Sequence, residues 1–110
     1  MPHAFSAVHL HLVFGTLGRR PFFADPDLRR RLHGYLAATA AHHKCPADIV
    51  GGGSDHVHVV LRLARDKPIS DLVRDLKRSS ALFVKEQGPV YDEFQWQRGY
   101  SVYSVSGPHL

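Results

Sequence analysis

The stretch His56-Val57-His58-Val59-Val60-Leu61-Arg62-Leu63 sets Val57, Val59, Leu61 and Leu63 at every second position. In an extended chain alternate side chains share a face, so these four read as the buried side of a strand. His56 and His58 then project together from its other side. Just upstream, Gly51-Gly52-Gly53-Ser54-Asp55 runs into a strand and not into a helix. That placement excludes a Walker loop or a dinucleotide fingerprint, and predicts a flexible turn or bulge that lets the backbone fold tightly before His56. Ala47 to Val50, following Pro46, forms a short strand ahead of that turn.

The same period of two appears from Ala7 to Thr16, with Val8, Leu10, Leu12 and Phe14 on one face and His9, His11 and Val13 on the other. Gly18-Arg19-Arg20-Pro21 breaks the run and puts two cations on a loop. Asp25-Pro26-Asp27 is a helix start: Asp25 caps, Pro26 suits the first helical position and Asp27 complements the positive dipole end. The helix is predicted from Pro26 to about His43, burying Leu28, Leu32, Tyr35, Leu36 and Thr39, with Arg29, Arg30 and Arg31 solvated. His42 and His43 complement its C-terminal dipole.

Asp66-Lys67-Pro68 reads as a turn, after which Ser70 caps a second helix reaching Lys85. Its apolar stripe is Leu72, Val73, Leu76, Phe83 and Val84. Gly88-Pro89 stops it, and Tyr100 to Val105 forms a last strand. The order β-α-β-β-α-β predicts an α+β, ferredoxin-like split βαβ fold, an antiparallel sheet with two helices on one face. Residues 1–110 read as one domain.

An apolar share of 44% and a charged share of 22% are ordinary for a folded domain, which excludes a disordered chain. Lysine and arginine total 14 against 10 acidic residues, a net charge of +4 that suits a polyanionic partner. Cys45 is the only cysteine, so no internal disulfide forms. No apolar run approaches the roughly 20 residues needed to cross a bilayer, so no membrane association is expected. Met1-Pro2-His3 shows no secretory signal, and the expected location is cytoplasmic.

Two imidazoles on one face of a strand form half of a divalent-metal site if other ligands arrive from elsewhere. From spacing alone, half-exposed histidines on an open sheet face are the commoner arrangement. His9-Leu10-His11 repeats the pattern on the first strand, and four clustered histidines would suit a structural zinc. Nothing in the sequence fixes strand order, so the His56 and His58 pair is the more economical reading. Asp55 is read either as a partner that orients an imidazole or as a turn residue. Arg74 and Arg78 lie one helical turn apart with Lys77 adjoining, a row able to follow a phosphate backbone or simply to stay solvated. Trp96, Tyr100 and Tyr103 near Arg98 suit stacking on unpaired bases, while burial suits Trp96 equally well.

Taken together these residues resemble the HUH-type tyrosine transposases of small insertion sequences, especially the REP-associated branch. His11-Leu12-Val13-Phe14 through Thr16 to Arg19-Arg20-Pro21 looks like the opening strand and basic loop. Gly52 through Asp55-His56-Val57-His58 to Leu61 looks like the stretch with the metal-binding histidine pair, and Phe94 through Trp96-Gln97-Arg98-Gly99-Tyr100 to Ser106 looks like the final strand. The resemblance implies that His56 and His58 hold Mg²⁺ or Mn²⁺ against a scissile phosphate of single-stranded DNA near a hairpin. It implies DNA contacts from Arg19, Arg20, Arg74, Lys77, Arg78 and Arg98, and a homodimer with joined sheets. It also implies attack by a tyrosine, leaving a 5′-phosphotyrosine and a free 3′-hydroxyl, which strand joining reverses.

The family carries that tyrosine on a helix after the last strand, whereas here Ser104-Val105-Ser106-Gly107-Pro108-His109-Leu110 leaves no room for one. Tyr100 and Tyr103 match final-strand positions, so the nucleophile is not transferred to them. The expectation is therefore a transposase-like domain lacking its nucleophile helix, possessing a DNA site but an incomplete catalytic set. A noncatalytic single-stranded DNA or RNA-binding module is the alternative, and a small metal-binding or dimerisation domain is a third reading.

Overall fold

Val57, Val59 and Leu61 are fully buried, as the alternation requires. They lie on β3 (His56–Leu63), which pairs antiparallel with β1 (Val8–Gly15) so that Leu10 faces Leu61, Leu12 faces Val59 and Phe14 faces Val57. All six side chains enter one core, and full burial of each stabilises the fold by about 1.5–3 kcal/mol. These residues belong to a computed structural model that describes residues 8–105. The expected strand start at Ala7 and the segment 106–110 lie outside the described residues.

The remaining strands are β2 (Ala47–Gly52) and β4 (Ser101–Val105), in sheet order β2-β3-β1-β4 with every neighbour antiparallel. Helices α1 (Pro26–His42) and α2 (Ile69–Lys85) connect them, which completes the split βαβ arrangement. Buried Leu28, Leu32, Leu36 and Ala40 of α1, and Leu72, Val73, Leu76 and Val84 of α2, close one side of the sheet. Phe23, Phe94 and Trp96 fill its end beside Phe14, with Trp96 edge-on to Phe14 and Phe94 and tilted against Phe23. The face carrying His9, His11, His56 and His58 points away from the helices.

Local chemistry explains the ends. Asp25 accepts the Asp27 amide at 3.1 Å and Pro26 opens α1. Three expectations are corrected. Ser70 does not cap α2; the helix begins at Ile69 after the extended Pro68, and no side chain caps it. Tyr35 and Thr39 are only partly buried, because Ala40 takes the core position while Tyr35 stacks on Phe83 at 4.6 Å outside the core. Gly51 and Gly52 extend β2 past Val50 instead of forming the loop, since Gly51 pairs with His58 and Gly52 with Val57. Gly52 has φ +144°, and a Cβ there would lie 2.2 Å from the His56 carbonyl oxygen, so only glycine fits.

Candidate metal and nucleic-acid site

The turn at 53–55 that delivers β3 is fixed from both sides. The Phe23 amide donates to the Ser54 carbonyl at 2.8 Å, and the Thr16 amide donates to the Asp55 carbonyl at 2.9 Å. Thr16, fully buried, donates its hydroxyl to the Arg20 carbonyl at 2.7 Å and so ties the basic loop to the same point. His56 therefore leaves the turn in a defined direction, half-buried on the open face.

His56 and His58 lie edge to face with ring centroids 4.9 Å apart. The Asp55 carboxylate sits 2.9 Å from His56 Nδ1. That contact, opposed by desolvation and aided by Arg19, holds the Asp55 carboxyl below its ordinary range. An ionised carboxylate only accepts, so His56 donates from Nδ1, and in the tautomer that does so the Nε2 is left as the lone pair. His58 Nδ1 lies 2.9 Å from His11 Nε2, so one of these two nitrogens carries the shared hydrogen. Where His58 is the donor, its Nε2 is likewise left as a lone pair. Burial, followed by the neighbouring His56 and His11, lowers the His58 pKa and favours the neutral ring.

The second histidine unit divides. His11 joins the pair, whereas His9 turns to Asp48 at 3.9 Å. A four-histidine zinc cluster is therefore corrected: among the described residues no three His, Cys, Asp or Glu side chains are placed to share an ion. Two imidazoles are nitrogen donors of a kind that divalent ions take, and any further ligands to such an ion would have to be oxygen donors.

The predicted cations separate into two layers. Arg19 reaches Asp55 at 3.4 Å and borders a cleft with Arg98. Arg20 lies over the Phe22 ring and 3.7 Å from Glu93. Lys77 is not in a phosphate-tracking row: its ammonium donates to the Gln97 and Gly99 carbonyls, each at 2.7 Å, and burial lowers its pKa. Arg74 pairs with Asp71 and Asp75 at 3.4 Å, and Arg78 lines a groove between α1 and α2. Those two arginines lie in the helix layer, away from the histidines. Trp96 is partly buried against the core, and its Nε1 donates to Ser80 Oγ at 3.1 Å. Tyr103 is 57% exposed, with its ring centroid 6.0 Å from that of His11. Sequence reasoning missed Thr16, whose burial only the tertiary contacts reveal, and offered His11 beside the pair only within a four-histidine cluster, because register is invisible in the sequence.

The profile of the family described as "Transposase IS200 like" matches residues 4–110. The chain belongs to the IS200-like transposase family. Two solved structures share the fold. One is a provisionally assigned transposase from Deinococcus radiodurans R1, 23% identical, with a TM-score of 0.80 over 94% of this chain and 82% of that one. The other is a REP-associated tyrosine transposase bound to a REP hairpin, 12% identical, with a TM-score of 0.65 over 91% of this chain and 57% of that one. Comparison with curated proteins found no match. Among the described residues no helix is long and apolar enough to cross a membrane.

Proposed function

We propose that this transposase-family domain binds single-stranded DNA at hairpin-bearing sites, with His56 and His58 as its metal ligands. The observation that carries the reading is the paired placement of the two rings on an open sheet face, each with Nδ1 already engaged. A divalent ion such as Mn²⁺ or Mg²⁺ held there would polarise phosphoryl oxygens and orient a scissile bond. The chain's own residues do the rest. Asp55 and His11 set the ring orientations, Arg19 offers a guanidinium beside them, and Tyr103 presents an exposed ring next to His11.

The hairpin-bound state of the REP-associated neighbour favours a hairpin as the DNA element. A homodimer belongs to the same reading: among the described residues β4 pairs only with β1, leaving an edge for a second sheet. Cleavage and joining by a tyrosine follow from the family resemblance; none of Tyr35, Tyr91, Tyr100 and Tyr103 is assigned as nucleophile. Titration with Mn²⁺, followed by electron paramagnetic resonance, tests the metal site. Wild type should take up the ion, and His56→Ala and His58→Ala should each abolish uptake. Unchanged uptake in His56→Ala would reduce the pair to a structural feature and favour the noncatalytic binding module.

A further inference from the structure

A cleft of about 230 Å³ opens between the end of β1 and the segment leading into β4, bounded by Val13, Gly15, Arg19, Arg98, Gly99 and Tyr100. In the β1–β3 register Val13 stands opposite His58 and Gly15 opposite His56. The cleft thus borders the strand next to the imidazole pair, about 5 Å across. We propose that it is a nucleotide subsite, taking one unpaired base of the strand whose neighbouring phosphate lies at the histidines. This rests on the preceding reading and adds which side chains hold the single strand.

Charge, stacking surface and rigidity converge there. Arg98 is exposed and makes no ion pair among the described residues, and no carboxylate side chain lines the cleft among them. Two guanidinia at its rim suit the phosphates on either side of a base. Tyr100, 39% exposed, has no aromatic partner among the described residues, so its ring is open for a base to stack on.

The wall is fastened before any ligand arrives. Lys77 clamps the carbonyls on both sides of Arg98, and the Gln97 amide donates to the Gly15 carbonyl at 2.8 Å. Such pre-organisation reduces the entropy lost when a ligand binds. The floor is kept low by Gly15, where a Cβ would lie 2.8 Å from Arg19 Nη1 and 3.3 Å from the Asp55 carbonyl oxygen. Because Arg19 also touches Asp55, the subsite and the metal pair are joined through one side chain.

The test compares a fluorescent DNA hairpin carrying a single-stranded extension with the same hairpin blunt-ended, by anisotropy. Tyr100→Ala and Arg98→Ala should each weaken the extended oligonucleotide about tenfold, leaving the blunt hairpin and Mn²⁺ uptake unchanged. Equal losses on both oligonucleotides, or none on either, would overturn the subsite. A 5-iodouracil scanned along the extension supplies a second measurement: one position should cross-link to Tyr100, and cross-links confined to other residues refute the proposal. If Mn²⁺ uptake requires His56 while the extension is indifferent to Arg98 and Tyr100, only the subsite fails. If uptake ignores His56, the metal reading fails whatever the cross-link shows.

Discussion

Asp55 and His11 each engage the Nδ1 of a neighbouring imidazole at 2.9 Å, so the two candidate ligands are oriented by groups that need not touch the ion. Removing such a partner costs a metal site about 10–100-fold in affinity. Asp55→Asn and His11→Phe should each weaken Mn²⁺ uptake by that order, with loss smaller than in His56→Ala, as read by calorimetric titration. Undiminished affinity in both would mean that the rings find their orientation unaided. His33 supplies a separate, pH-dependent prediction. Its Nε2 is buried without a hydrogen-bond partner among the described residues, and burial, then Arg29, lowers its pKa. The folded chain then holds fewer protons than the unfolded one once the pH drops below about 6.5. Stability should fall as the pH passes down through that value and level off below the depressed folded pKa. His58 adds to the same trend, so thermal unfolding of His33→Gln should show a shallower pH dependence, not a flat one. The histidine pair itself was legible in the sequence, because period two alone puts both rings on one side. Its partners were legible only as open alternatives: the reach of His11 depends on a diagonal across the β1–β3 register, and Asp55 turns toward His56 because it sits in the bend before the strand.

At the scale of elements, α2 does more than cover the sheet. Ser80, buried within its apolar stripe, donates to the Leu76 carbonyl at 2.6 Å and accepts the Trp96 indole, while Lys77 one turn earlier clamps the segment between Trp96 and β4. The helix thereby holds the approach to β4 through three polar contacts. Ser80→Ala leaves the indole without its acceptor and should destabilise the domain by about 1–2 kcal/mol in urea unfolding. Lys77→Met keeps the aliphatic stem but releases both carbonyls. It should cost about 1 kcal/mol and weaken binding of a single-stranded extension more than binding of a blunt hairpin. Strand and helix positions followed from hydrophobic period and from caps such as Asp25-Pro26, because those signals are local. The roles of Ser80 and Lys77 were hidden for the opposite reason. A serine inside a helical stripe and a lysine beside it look solvated until the chain returns with Trp96, Gln97 and Gly99.

For the whole molecule the question is which surface meets a phosphate backbone, since the net charge of +4 is spread over both layers. The helix layer carries Arg74, already paired with two carboxylates, and Arg78, beside the groove between the helices. The end of the open sheet face carries Arg19 and Arg98 at the cleft, with Tyr100 and Tyr103 exposed nearby. Phosphate contacts release counterions, so the affinity for a single strand falls with salt at a logarithmic slope of about −0.7 per neutralised phosphate. Anisotropy titrations from low to moderate salt should therefore give a slope that is shallower by about 0.7 in Arg98→Ala, and similarly in Arg19→Ala. Arg74→Ala and Arg78→Ala should leave it unchanged. The contrast matters more than the absolute affinity, because each variant removes the same single charge and hence alters the long-range attraction equally. A slope that shifts with Arg74 and Arg78 instead would put the DNA on the helices, away from the histidines, and the metal pair could not then act on the bound strand.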